Sequence, residues 1–164
     1  MRGVPRLFLD ASPLIAAAGS STGASALVLE MCRHGQAQAS SSRLVLLEAE
    51  RNIRAKLGRD ALLRFYQEIA NLDLNLVDPP TPQEIAKMRQ IIHPKDAHVL
   101  AAAMKGGVQV LLTLDRAHFL SPLVLEAGLP FQIMAPGDFL RRLVGPGGLE
   151  PPTSPLSRVR SQHP

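Results

Sequence analysis

The sequence predicts an α/β domain in which a mainly parallel sheet is covered on both faces by helices. Three observations carry this reading. Short apolar runs alternate with amphipathic stretches of helical length. The hydrophobic share is 46% with no Trp and one Tyr, so the core must be built from Leu, Val, Ile and Ala, which suit helices packed on a buried parallel sheet. The length, 164 residues, fits one domain of ordinary size.

The elements follow in order. Leu7 to Leu9 is an apolar run that stops at Asp10, and Ser12-Pro13 reads as a helix cap with Pro at the first helical position. Leu14 to Ala18 is a short helical piece. After the loop Gly19 to Gly23, Ala26, Leu27, Leu29 and Met31 carry a second helical stripe that ends at His34-Gly35. A short strand into Ser40-Ser42 precedes a helix from Arg43 to Leu57, stopped by Gly58. Leu62, Leu63, Phe65, Tyr66 and Ile69 mark an amphipathic helix over Arg59 to Asn71, and Leu74 to Val77 is a strand closed by Asp78-Pro79-Pro80.

Pro82 to Ile92 is expected as a helix capped by Thr81. His93-Pro94 interrupts the chain, and a helix rich in Ala resumes from Lys95 to Lys105, ended by Gly106-Gly107. Val108 to Leu112 is a buried-type strand running into Thr113-Leu114-Asp115. Phe131 to Met134 is a last strand and Gly137 to Leu143 a last helix. The expected domain is 1–143. Residues 144–164, rich in Pro, Gly and Ser without apolar period, read as a disordered tail. Gly148-Leu149-Glu150-Pro151 can be encoded by the complement of a transfer-RNA T-arm motif, so the tail resembles a peptide translated from a transfer-RNA-gene-like sequence and is assigned no function.

The totals narrow the function classes. A net charge of +4 and a pI near 9.8 are compatible with a polyanionic partner. The single Cys32 leaves no intramolecular disulfide framework and no Cys-rich zinc site, and makes the reducing cytoplasm the expected location. The N-terminus lacks a signal-peptide core and no run of about 18 apolar residues occurs, so no membrane association is expected. Lone glycines form neither a P-loop nor a dinucleotide fingerprint, and Ser20-Ser21 has no nucleophile-elbow context.

Four acids are the candidates for chemistry. Asp10 and Asp115 each follow an apolar strand, and ligands of parallel sheets sit at the carboxyl ends of strands. Asp96 stands at the start of a helix, where the dipole also favours an acid. Glu48 lies beside Leu44 and Leu47, expected on the core-facing side of its helix, whereas Glu50 is offset from it. Taken singly, Asp10 and Glu48 read more simply as a cap or a solvated charge, Asp96 is balanced between the helix dipole and chemistry, and Asp115, after so apolar a strand, points to chemistry. Converging, they would supply the oxygen donors that hard divalent cations need for phosphodiester hydrolysis.

The segments Phe8-Leu9-Asp10-Ala11-Ser12, Ser42 to Asn52 with Glu48, Lys95-Asp96-Ala97-His98 to Ala103, and Thr113-Leu114-Asp115 resemble, in order and spacing, the motifs of the PIN domain family, which includes VapC-like toxins. The likeness spans about residues 6 to 140. It departs from the family pattern at Asp10-Ala11-Ser12, where many members have Asp-Thr-Asn.

The resemblance implies a three-layer α/β/α sandwich with a five-stranded, mainly parallel sheet. It further implies a Mg²⁺- or Mn²⁺-dependent endoribonuclease, with Asp10, Asp96, Asp115 and Glu48 as metal-binding and catalytic acids and with Ser12 and Thr113 holding them in place. RNA is the implied substrate, an antitoxin protein a partner, received by the apolar hairpin Leu14 to Met31, and a homodimer the expected assembly. Arg43, Arg51, Lys95 and Arg116 are candidate RNA contacts.

Two positions along an α-helix turn by about 200°, so His98 is expected to face away from Asp96, and His34, His93 and His118 show no metal-ligand spacing among themselves. The competing readings are a PIN-like module that binds RNA or protein without cutting, and a small-molecule-binding flavodoxin-like domain.

Overall fold

The computed structural model describes residues 3–145, so from residue 146 onward the expected tail lies outside the described residues. A five-stranded, wholly parallel sheet has the order β3-β2-β1-β4-β5, with β1 (Arg6–Leu9) central, β2 (Gln38–Ser41) and β4 (Val110–Leu112) flanking it, and β3 (Asn75–Leu76) and β5 (Gln132–Met134) at the edges. Leu7, Phe8, Leu9, Leu111 and Leu112 have no exposed surface. Both faces of a central parallel strand are covered, which is why these runs are continuously apolar.

The topology decides where helices go. From β1 to β2 to β3 the chain moves one way across the sheet, and right-handed crossovers put the intervening helices on one face. These are α1 (Ala11–Gly19), α2 (Ala24–Arg33), α3 (Arg43–Lys56) and α4 (Arg59–Asn71), and α1 packs against the other three. From β3 the chain returns past β1 to β4, which puts α5 (Pro82–Met88) and α6 (Ala97–Gly106) on the opposite face, packed on each other. Two single-turn helices, α7 (Arg116–Phe119) and α8 (Pro122–Leu125), lead to β5, and α9 (Pro136–Val144) closes against α2. The result is the three-layer α/β/α sandwich. Among the described residues no single helix is long and apolar enough to cross a membrane.

Local chemistry explains several boundaries. The α5 start is a full capping box, with Thr81 accepting from Glu84 N–H, the Glu84 carboxylate accepting from Thr81 N–H, and Pro82 at the first position. Lys105 reaches back from α6 to Glu84 at 3.0 Å. Gly107 ends α6 in the left-handed conformation, φ 62°, that a residue with a Cβ resists.

Four expectations need correcting. The α1 cap is Asp10, not Ser12, because the Ser12 hydroxyl is committed to another strand's connection. α5 stops at Met88 rather than Ile92: the N–H groups of Ile91 and Ile92 both turn back to the Met88 carbonyl, and Pro94 bars a helical His93. α7 and α8 were not expected, since one turn offers too few residues for a periodic signal, although Ser121-Pro122 is a readable cap. In α3 the buried stripe is Val45, Ala49 and Ile53, while Leu44 and Leu47 are 53% and 42% exposed. The run Leu44 to Leu47 allows a helical face through either set, and packing on α1 selects the Val45 one.

Candidate metal centre

Chain direction reverses across the sheet between β1 and β4, since β1 leads toward β2 and β4 leads toward β5. Such a switch point opens a crevice beyond the strands' carboxyl ends. Asp10 follows β1 there, and its N–H extends the ladder to the Leu112 carbonyl at 3.1 Å. Thr113-Leu114-Asp115 leaves β4 on the same rim. Asp96 enters from beyond the sheet, at the end of a 3₁₀ turn, Pro94–Asp96, that precedes α6. The turn is short because Pro94 fixes its entry and His93 Nδ1 accepts from Lys95 N–H at 3.1 Å.

Two hydroxyls tie the β1 and β4 connections together. Thr113, 2% exposed, donates to Asp10 Oδ2 at 2.8 Å and accepts from Asp115 N–H at 3.1 Å. Ser12 accepts from Leu114 N–H at 2.9 Å and lies 3.4 Å from the Thr113 hydroxyl. Ser41 adds a third link by donating to the Leu9 carbonyl at 2.9 Å, just before Asp10. Removing Thr113 would therefore leave a buried carboxylate oxygen and a half-buried N–H without their partner, which is costly.

The acids are expensive to keep together without a cation. Burial pushes the Asp10 carboxyl up from 3.8 to about 6, aided by the negative charges of Glu48 and Asp96 and opposed by the Thr113 hydroxyl and the Ala11 N–H. Asp96 is 9% exposed, and its buried Oδ2 has no hydrogen-bond partner. A buried carboxylate oxygen without a partner is rare in a folded protein. With a donor set of oxygens converging on it, the arrangement fits a divalent cation. The expected acids Asp10, Asp96 and Asp115 are thus brought to one rim, with Glu48 at its border and within electrostatic reach of Asp10.

Histidines supply what the sequence reading missed. His118 Nδ1 lies 2.8 Å from Asp115 Oδ2 and 3.5 Å from Asp96 Oδ2. One ligand atom from each of Asp96, Asp115 and His118 lies within 4.8 Å of the others. The signal was the three-residue step from Asp115 to His118, which becomes a spatial pair only because Arg116–Phe119 is a helical turn capped by Asp115. His98 lines a groove with Glu48, Leu44, Arg51, Asn52 and Lys95, and none of the three aspartates is among that groove's walls. Burial holds the His98 imidazole below its usual pKa, against the pull of Glu48 and Asp96, and its buried Nδ1 has no partner.

Glu48 and Glu50 part company. Glu50 accepts from the Tyr66 hydroxyl and stands 3.9 Å from Arg54, tying α3 to α4, while Glu48 faces the groove. The candidate RNA contacts divide in the same way. Arg51 and Lys95 line the groove beside Glu48, and Arg43 is exposed at the start of α3. Arg116 is diverted to Asp138 at 2.9 Å. Of the apolar residues between Leu14 and Met31, Leu14, Ala17, Ala18, Val28 and Leu29 are taken up by the core, leaving Leu27 48% exposed.

Comparison with known proteins agrees with this layout. The PIN domain family matches residues 6–117. No curated protein matches the chain in sequence. Among solved structures, PAE2754 from Pyrobaculum aerophilum superposes with a TM-score of 0.57 at 21% identity, over 87% of this chain and 93% of its own. VapC20 of Mycobacterium tuberculosis, described as a toxin that cleaves the sarcin-ricin loop, gives 0.52 at 14% identity, over 76% and 97%. VapBC2 from Rickettsia felis, bound to a DNA fragment from its promoter, gives 0.55 at 13% identity, over 79% and 98%. These likenesses concern the fold, and the sequence match to the family spans more than half of the chain: this protein belongs to the PIN domain family.

Proposed function

We propose that this protein is a divalent-metal-dependent endoribonuclease. PIN domains are in general nucleases with metal-binding acids, and the observation that carries the reading here is the partnerless, buried Asp96 Oδ2 on the same rim as Asp10 and Asp115. Asp10, Asp96 and Asp115 would hold the cation, with Glu48 completing the set directly or through water. A bound Mg²⁺ or Mn²⁺ would activate water and neutralise phosphate charge. The chain's own residues do the rest. Thr113 and Ser12 fix the β1 and β4 connections, so the carboxylates keep one spacing without reorganisation. Arg51 and Lys95 offer two cations beside Glu48 for the phosphates on that side, and His98, favoured in its neutral form, offers an uncharged polar edge to the same groove.

RNA is the substrate this reading assigns, by extension from the toxin described as cutting the sarcin-ricin loop, and an antitoxin protein and a second copy of the chain are its assigned partners. The test uses purified protein, a structured RNA and Mn²⁺. Cleavage is expected, abolished by EDTA and lowered at least about 100-fold by Asp96→Asn or Asp115→Asn. Cleavage unchanged by both substitutions overturns the assignment, and RNA binding without cleavage by the unaltered protein identifies a binding module instead.

A further inference from the structure

We infer that His118 is a nitrogen ligand of the metal centre, and that its presence among the carboxylates makes the site prefer a first-row transition ion over Mg²⁺. This rests on the metal reading above and goes beyond it in naming the donor set and the ion it selects.

Asp115 Oδ1 accepts the His118 N–H at 3.2 Å and so starts α7, while Asp115 Oδ2 meets the imidazole Nδ1 of the same residue at 2.8 Å. The helical turn therefore fixes where the ring stands. That position is 3.5 Å from Asp96 Oδ2, the buried oxygen that has no hydrogen-bond partner. A ring nitrogen and two carboxylate oxygens then face one another within 4.8 Å, a spacing that a single cation can bridge with small side-chain rotations. A further pointer is that Asp96 Oδ2, on a side chain 12% exposed, is buried and has no hydrogen-bond partner, His118 standing 3.5 Å away without hydrogen-bonding to it. Without an ion the 2.8 Å contact to Asp115 needs a proton on Nδ1; a cation would take that proton's place, the neutral ring then carrying its proton on Nε2, which no partner restrains among the described residues.

The consequence for the ion follows from donor chemistry. Mg²⁺ demands near-ideal octahedral oxygen coordination and gives up its waters reluctantly. Imidazole suits transition ions, whose affinities for nitrogen exceed that of Mg²⁺. A mixed oxygen and nitrogen set therefore separates the two classes where an all-carboxylate set would not.

The experiment is pulsed EPR of Mn²⁺ bound to the full chain, with a Mg²⁺ competition titration read by the free-Mn²⁺ signal. A ¹⁴N coupling of directly bound imidazole is expected. His118→Gln, at a half-exposed position with little influence on folding, should abolish it and weaken Mn²⁺ about tenfold while leaving Mg²⁺ affinity nearly unchanged. Mn²⁺ binding without nitrogen coupling, or a coupling that survives His118→Gln, overturns the assignment to His118 and leaves the carboxylate site standing. Failure of the unaltered protein to bind Mn²⁺, or binding unaffected by Asp96→Asn, overturns the metal centre itself.

Discussion

At the scale of single residues, Asp10 shows how the site trades stability for readiness to bind. Its carboxyl titrates near 6 in the folded protein against 3.8 for the free group, chiefly because it is buried. Between these values the folded state holds more protons than the unfolded one. The metal-free protein therefore loses stability as pH rises from about 4 through about 6, and the ionised group costs on the order of 3 kcal/mol above that. Asp10→Asn is expected to stabilise the metal-free protein by about 2 kcal/mol near neutral pH and to change little near pH 4. Urea melts at the two pH values check this, and equal shifts at both would sink it. Thr113→Val leaves Asp10 Oδ2 and the Asp115 N–H without their partner at a position 2% exposed, so a loss of about 1–3 kcal/mol is expected in thermal melts. The Asp10 carboxyl, followed by NMR, should rise still further, because the lost hydroxyl was lowering it.

At the scale of elements, the boundaries that place the acids depend on a few residues with special backbone chemistry. Gly107 holds φ 62° directly after α6 and before β4, so it sets the direction in which the β4 strand begins. Gly107→Val puts a β-branched side chain in the left-handed region and is expected to cost about 1–2 kcal/mol. The readout is a lowered thermal midpoint with the far-UV spectrum retained, and an unchanged midpoint would show that the turn relaxes freely. The helix and strand pattern was legible in the sequence because most elements carry a period, a cap or a stop, Thr81 opening α5 and Gly58 closing α3 among them. Where it failed, the elements were a single turn long, as with α7, or the helix offered two apolar faces, as with α3. In the second case propensity is indifferent, and only the partner helix chooses.

At the scale of the whole molecule, the basic excess is not spread evenly around the acids. Arg51 and Lys95 share the Glu48 groove, whereas Arg116 is neutralised by Asp138 on the far side of β4. RNA binding measured in Ca²⁺ is expected to weaken on Arg51→Glu and Lys95→Glu, each also reducing the salt dependence by about one phosphate contact, with a smaller effect from Arg116→Glu. Equal effects at the three positions would mean that the RNA follows no preferred side.

The sequence by itself determined the fold class and the strand-end positions of Asp10 and Asp115, because an acid that closes an apolar strand must emerge at the sheet's rim whatever the loops do. It also carried the ordered spacing by which the family is identified. Only the tertiary structure decided which side chains join those acids. Asp96 arrives on a 3₁₀ turn ahead of α6, Glu48 stands at the edge of a helix whose buried face is chosen by α1, and His118 meets Asp115 and Asp96 through a helical turn too short to be read in advance. Those placements depend on contacts between residues distant in the chain, and local sequence, which encodes period and capping, does not specify them.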